Sequence, residues 1–305
     1  MLNDPGKILI SGSSGLIGQA LSKGLEKSGY AVYRLVRRPA EDNRSIFWDP
    51  AKGELDSAGL EGFQTVINLA GENIASRWTE NKKKRIRDSR IKSTGLLVNA
   101  FQELKQKPVV FLSASGINYY GYSTPEPRNE NAPAGSGFLA EVVREWEREA
   151  AGAEQYGIRT VFLRFGVVLD KNGGALRKML LPFKLGLGGV IGKGNQRMSC
   201  ISLLDVVRIV EFLLNRDDIS GPVNCCAPCV VTNREFTSAL ARALKRPAVF
   251  PLPTVVVRLL FGQMGEETLL ADVAAVPQKL LDAGFEFKHK DIEEIIRSAL
   301  FNQDF

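Results

Sequence analysis

The stretch Lys7-Ile8-Leu9-Ile10-Ser11-Gly12-Ser13-Ser14-Gly15-Leu16-Ile17-Gly18 restricts the fold more than any other part of the chain. A short apolar run ends in a glycine-rich turn. A helical pattern starts at once, with Ile17, Leu21 and Leu25 at fourfold spacing before a stop near Gly29. Ala31-Val32-Tyr33-Arg34-Leu35-Val36 then reads as a second strand. Strand, glycine turn, helix and strand within about thirty residues make the βαβ unit that holds a dinucleotide. Gly12 permits the sharp turn, Gly15 lets backbone approach a pyrophosphate, and Gly18 lets the helix lie close to the strand. Ser13, Ser14, Leu16 and Ile17 complete the binding turn. The helix start offers unpaired N–H groups and partial positive charge to the phosphates.

The end of the second strand selects the cofactor. An NAD pocket carries an acid there to grip the ribose 2′-hydroxyl, whereas an NADP pocket has arginine nearby. This chain reads Arg37-Arg38-Pro39, with acids only later at Glu41 and Asp42. A carboxylate repels a 2′-phosphate and a guanidinium binds it in a fork, so NADP(H) is the expected cofactor.

Further strands are expected at Ser45–Asp49, Thr65–Gly71, Pro108–Gly116 and Thr160–Phe165, alternating with helices that end near Glu103 and span Leu139 to Ala151. This alternation implies an α/β fold, a Rossmann-type doubly wound parallel sheet covered on both faces. Ligands in such a sheet sit at the carboxyl ends of the strands, so Gly12, Arg37, Leu69, Ala70, Ser115 and Val168 should converge on one crevice. Past Asp170 the texture becomes loop-rich, with helices over Leu176–Lys184 and Val206–Leu214 and a strand at Val223–Cys226. Thr232 and Glu235 have capping-box spacing before another helix, and the remainder is mostly helical, with Pro277 starting a short helix. The expected division is a Rossmann domain over residues 1–170, to which 198–228 returns. A small substrate or cap domain takes 171–197 and 229–305.

Composition narrows the chemistry. The 305 residues are 44% hydrophobic and 24% charged, ordinary values for a globular protein. No apolar run approaches the length of a membrane span, so no membrane is expected among the partners. Met1-Leu2-Asn3-Asp4-Pro5-Gly6 lacks the features of a signal peptide, and a cytoplasmic location is expected. Cys200, Cys225, Cys226 and Cys229 are too few and too clustered for a disulfide framework, and the single histidine, His289, is remote from them. No metal site is expected, and neither is a Ser-His-Asp hydrolase. The formal charge of +6 suits an anionic ligand. The basic run from Asn81 to Lys92 has no stacking aromatics, so it reads as a solvated helix face and nucleic acid is not an expected partner. Arg90 is different: Ile86, Arg90, Ser93 and Leu97 share one helical stripe, which turns Arg90 inward, where it needs an anion or acceptors.

The chain resembles the extended short-chain dehydrogenase/reductases, with Gly12-Ser13-Ser14-Gly15-Leu16-Ile17-Gly18 in their GxxGxxG form. More narrowly it is similar to an atypical "epimerase family protein" group, also described as sugar-nucleotide epimerase-like or SulA-like cell-division inhibitor proteins. The matching segments are Asn68-Leu69-Ala70-Gly71-Glu72-Asn73-Ile74, Ser89-Arg90-Ile91, Arg164-Phe165-Gly166-Val167-Val168-Leu169 and Leu181-Pro182-Phe183-Lys184-Leu185-Gly186-Leu187-Gly188-Gly189. Pro251-Leu252-Pro253 and Gly284-Phe285 extend the likeness. The resemblance implies NADP(H) on a Rossmann domain with a small, mostly helical C-terminal domain. It assigns Gly12 to Gly18, Arg37, Arg38, Leu69, Ala70, Arg90 and Val168 to the cofactor. A loop containing Gln196 and Arg197 is implied to face the substrate.

The parent superfamily moves its proton with a Tyr-x-x-x-Lys pair on the helix before the sixth strand. Here Phe138 and Val142 fall at those places, and no such pair occurs between Gly135 and Gly157. Ser115 sits where the superfamily's serine or threonine falls. Tyr119 and Tyr120 follow; either both pack the pocket wall, or a phenol near cations has a lowered pKa and serves as acid or base. Glu141 reads as solvent-facing, and Asp205 as a helix cap. The relatives' Trp-Ile-His is Cys200-Ile201-Ser202 here. Two functions are therefore expected. One is an NADP(H)-dependent epimerase-like oxidoreductase acting on a carbonyl or alcohol, a sugar nucleotide among the candidates, with Ser115 and Tyr120 at the reacting carbon. The other is a catalytically silent NADPH-binding regulatory protein. A homodimer is compatible with both.

Overall fold

The structure, a computed structural model, describes residues 6–38, 42–124 and 126–301. Met1 to Pro5, Pro39 and Glu41 lie outside the described residues. In chain order the first half runs β1 (Lys7–Ser11), α1 (Leu16–Lys27), β2 (Ala31–Val36), β3 (Ser45–Asp49), β4 (Glu54–Leu55), β5 (Thr65–Asn68), α2 (Glu80–Glu103), β6 (Val110–Gly116) and α3 (Phe138–Ala151). It continues with β7 (Arg159–Phe165), β8 (Val167–Asp170), α4 (Gly174–Lys184), β9 (Arg197–Ser202), α5 (Leu203–Leu214), β10 (Gly221–Cys225) and β11 (Val230–Thr232). Helices α6 (Asn233–Leu244), α7 (Thr254–Phe261), α8 (Gln278–Asp282) and α9 (Ile292–Phe301) complete it.

The main sheet has the order β10-β7-β6-β5-β1-β2-β3-β4 and is parallel except for the β3–β4 hairpin. From β1 the chain winds outward through β2 and β3, then returns to build β5, β6, β7 and β10 on the other side. The winding reverses between β1 and β5, where Ser11 is in register with Asn68. A doubly wound sheet opens its ligand crevice at such a reversal, at the carboxyl ends of the strands.

Both faces are covered, as near-continuous apolar strands require. On one face α1 and α5 bury Leu21, Leu25, Val206 and Val210 against Ile8, Ile10 and Val161. On the other, α2 and α3 bury Leu97, Phe101 and Ala150 against Leu9, Val66 and Phe111. A third cluster joins α4, α6 and α9 through Leu176, Phe183, Phe236 and Ile296. Thr232 and Glu235 form both bonds of a capping box at α6. The mostly helical C-terminal part is there, with one addition: β8, β9 and β11 form a small three-stranded sheet beside it. Leu280, Phe285 and Phe287 also pack into the first cluster, so the tail shares the core of the main sheet.

Candidate functional site

A crevice of about 390 Å³ opens at the β1–β5 reversal. Gly12, Gly15, Leu16, Ile17 and Gly18 line one side, Leu69 and Arg90 the floor, and Ser115, Trp146, Phe165 and Val168 the other side. Of the residues expected to converge, Gly12, Leu69, Ser115 and Val168 do so. Gly174 and Ala175, at the start of α4, close the outer edge.

The glycine turn is dictated by backbone crowding. Gly12 has φ +67°, and a Cβ there would lie 2.7 Å from the Leu69 carbonyl oxygen. A Cβ on Gly18 would lie 2.3 Å from the Gly12 oxygen, so the helix must pass this close to the turn. Gly15 is different, because a Cβ there would meet only the Gly12 oxygen at 3.3 Å. It faces the crevice. Gly15 is also the N-cap of α1, with no side-chain cap and no acid in the first turn. The helix start therefore presents unpaired N–H groups to the cavity, a place suited to a phosphate. Ser14 is exposed and Ser13 half-buried in the turn.

A chain of buried polar groups underlies the floor. Ser11 Oγ donates to Asn68 Oδ1 (2.6 Å), and Asn68 Nδ2 donates to Thr94 Oγ1 (2.8 Å). Trp146 Nε1 donates to the same Thr94 oxygen at 2.8 Å. Strands β1 and β5 and helices α2 and α3 are thereby fixed together. The Ala70 N–H lies against Ser11 Oγ at 3.3 Å. Arg90 does point inward: it lies over the Trp146 ring (5.1 Å) and donates to the Glu72 and Ile86 carbonyls (3.1 and 3.0 Å). Burial lowers its pKa to about 10, so it stays a cation at neutral pH.

The wall next to Ser115 holds a network that sequence reasoning missed. Ser115 Oγ donates to Glu147 Oε1 (2.6 Å), and Arg164 grips both Glu147 oxygens (2.7 and 2.8 Å). Tyr119 stacks on the Arg164 guanidinium at 3.5 Å. Glu147 and Arg164 each sit on an otherwise apolar face, and a buried opposite-charge pair was the one available signal.

Tyr120 and the loop of Gln196 and Arg197 depart from the expectations. Tyr120 is buried outside the crevice lining, with its hydroxyl donating to Asn224 (2.8 Å) and accepting from Arg164 (3.0 Å). Burial outweighs the cation and pushes its pKa up to about 12, not down, which removes the basis for an acid–base role. Arg197 is gripped by Asp272 through two side-chain bonds (2.8 and 2.9 Å), and Gln196 Nε2 is spent on the Ile191 and Leu269 carbonyls. These two residues fasten the loop to the C-terminal part. Phe138 and Val142, at the places of the missing Tyr and Lys, join an apolar cluster with Trp78, Ile86, Leu139 and Met264.

Arg37 and Ala70, also expected to converge, are not among the residues that line the crevice. Arg37 and Arg38 are exposed just past β2, the neighbour of β1, with no ion pair among the described residues. Asp42 is held locally by Arg44 and Ser45, and Glu141 is exposed. In the basic run Lys82 pairs with Glu72 (2.6 Å), Lys84 with Asp88 and Arg87 with Glu145. The Cys200, Cys225 and Cys226 thiols are buried, and burial pushes their pKa values up. No helix among the described residues is long and apolar enough to cross a membrane.

Comparison with known proteins agrees with this geometry. Residues 8–226 match the NAD dependent epimerase/dehydratase family, and residues 252–299 match a domain of unknown function. An epimerase family protein of Mycobacterium bovis is 42% identical over 293 residues, covering 96% of this chain and 97% of that protein. The crystal structure of human epimerase family protein SDR39U1 with NADPH superposes with a TM-score of 0.86 at 33% identity, covering 96% and 98% of the two chains. A nucleoside-diphosphate sugar epimerase from Corynebacterium glutamicum gives 0.81 at 31% identity, covering 97% of this chain and 58% of the other.

Proposed function

Because the chain belongs to the NAD dependent epimerase/dehydratase family, we propose that it binds NADP(H) along the β1–β5 crevice and acts as an epimerase-like oxidoreductase on a small carbonyl or alcohol. One observation carries the reading: an uncapped helix start without acids, held between Gly12 and Gly18, where a Cβ would have no room. That cradle suits a pyrophosphate. The human relative solved with NADPH supports the phosphorylated form. Arg37 and Arg38 are assigned to the 2′-phosphate, and Leu69, Ala70, Arg90 and Val168 to the rest of the cofactor.

A bound nicotinamide dinucleotide supplies or accepts a hydride. The chain's own residues shape the place where this happens. Leu69, Phe165 and Val168 exclude water from the walls. Arg90 holds positive charge at the floor. Ser115, its proton committed to Glu147, turns lone pairs toward the crevice and orients a donor there. The sugar-nucleotide class, one of the candidates, heads a substrate panel, because the Corynebacterium neighbour is a nucleoside-diphosphate sugar epimerase. The cytoplasm is the proposed compartment on the sequence reading alone.

Titration with NADPH and NADH, followed by tryptophan fluorescence, tests the assignment. NADPH should bind well ahead of NADH. Arg37→Ala with Arg38→Ala should weaken NADPH about 100-fold, at roughly 1.5 kcal/mol per charged contact, and leave NADH unchanged. Equal binding of the two cofactors by the unmutated protein would sink the assignment. A carbonyl panel read by NADPH absorbance then separates an enzyme from the second reading, a silent NADPH-binding regulator. The apolar cluster at Phe138 and Val142 favours that second reading, since neither side chain can carry a proton.

A further inference from the structure

Eight of the thirteen large apolar side chains left exposed among the described residues fall in two short stretches, which marks one face as exceptional. Leu181, Leu185 and Leu187 lie at the end of α4 and just beyond it. Val249 and Phe250 belong to the second stretch, and the two are stitched together. The Phe250 N–H donates to the Gly188 carbonyl (3.1 Å), Leu252 to Val190 (2.8 Å), and Arg246 Nε to the Lys184 carbonyl (3.1 Å). Helix α7 follows directly, exposing Val255 and Leu259 one turn apart, and Leu260 beside them. Single exposed leucines are ordinary; a stitched group of this kind marks an interaction site.

Charge on this face is one-sided. No aspartate or glutamate occurs between Asp170 and Asp205, or between Glu235 and Glu266, yet these stretches carry ten lysines and arginines. Arg197, Arg242 and Arg258 are neutralised by Asp272, Glu293 and Glu266. Lys184, Lys245 and Arg246 are exposed with no ion pair among the described residues, and they flank Leu185, Leu187 and Phe250. A two-fold contact with a second copy would set these cations against their own kind. An anionic lipid surface would satisfy both features, because it attracts the cations and takes apolar side chains into the headgroup boundary.

We infer that this face, the α4 end with the Val249–Leu260 stretch, docks on anionic lipid headgroups. The contact lies in the plane of the surface. It departs from the expectation of no membrane partner, which rested on span length alone.

Flotation of the full chain with phosphatidylcholine vesicles, with and without phosphatidylserine, reads the effect. Binding is expected only with phosphatidylserine, and it should fall at high salt. Lys184→Glu with Lys245→Glu should reduce it at least 25-fold, at roughly fivefold per cation removed. Leu185→Asp with Phe250→Asp should reduce it at least about tenfold. Both variants alter exposed side chains, and unchanged circular dichroism and NADPH quenching verify the fold. The inference is overturned by absent flotation, by equal flotation on neutral vesicles, or by variants that float like the parent. A dimer in sedimentation equilibrium that these variants dissociate, without vesicle binding, assigns the face to a second copy and likewise overturns it.

Discussion

The two sides of the crevice are built by different means. The α1 side is backbone: glycines crowded against carbonyls and a bare helix start, with no side chain doing chemistry. The α3 side is side chain: Trp146 and Ser115 line it, with a buried ion pair of Glu147 and Arg164 behind Ser115. Backbone crowding tolerates almost no substitution, so the cradle keeps one recognisable form. Side chains can be exchanged one at a time, and on α3 Phe138 and Val142 stand at the places expected of a proton-handling pair.

The contrast can be broken first at the ion pair. Glu147→Ala strands the Arg164 cation, which is 3% exposed, and should cost about 3–5 kcal/mol in thermal or denaturant unfolding. A loss under about 1 kcal/mol would mean that the wall does not depend on the pair. A sharper comparison uses two glycines of one turn. Gly18→Ala pushes a methyl to 2.3 Å from the Gly12 oxygen and should destabilise the fold by roughly 3 kcal/mol. Gly15→Ala should leave unfolding within about 1 kcal/mol of the parent while weakening NADPH at least tenfold, since its methyl enters the phosphate cradle. If both lower stability alike, the division between packing glycine and binding glycine fails.

The smallest expected effect is at Tyr120. Tyr120→Phe removes two buried hydrogen bonds and should cost about 1 kcal/mol at neutral pH. The folded protein favours the neutral phenol, raising its pKa from 10.0 to about 12. Its contribution is therefore full below pH 10 and is lost as pH rises toward 12. A melting-temperature series over that window should fall less steeply for Tyr120→Phe than for the parent.

The β1–α1–β2 unit was legible because period, glycine spacing and helix stop all agree within one short stretch. The capping box at Thr232 and Glu235 was legible for the same local reason. The small sheet was not. Strand β9, Arg-Met-Ser-Cys-Ile-Ser, has no clean alternation, and its place is set by partners in β8 and β11. Arg197 looked like a pocket cation because its partner, Asp272, is 75 residues away and unmarked by any motif. The Glu147 pair was hidden similarly, one member on a helix and the other on a strand, meeting only after the sheet forms. Tyr120 failed on sign: proximity to an arginine was visible, but the depth of burial that outweighs it was not.

The polar chain under the floor has a directional consequence. Asn68 and Trp146 both point hydrogens at the same Thr94 oxygen, so the arrows along Ser11, Asn68, Thr94 and Trp146 meet head-on. A hopping proton needs every link to face the same way, and an amide in the middle cannot hand one on. The row therefore acts as an insulator: no hydrogen ion is relayed along it from one end to the other.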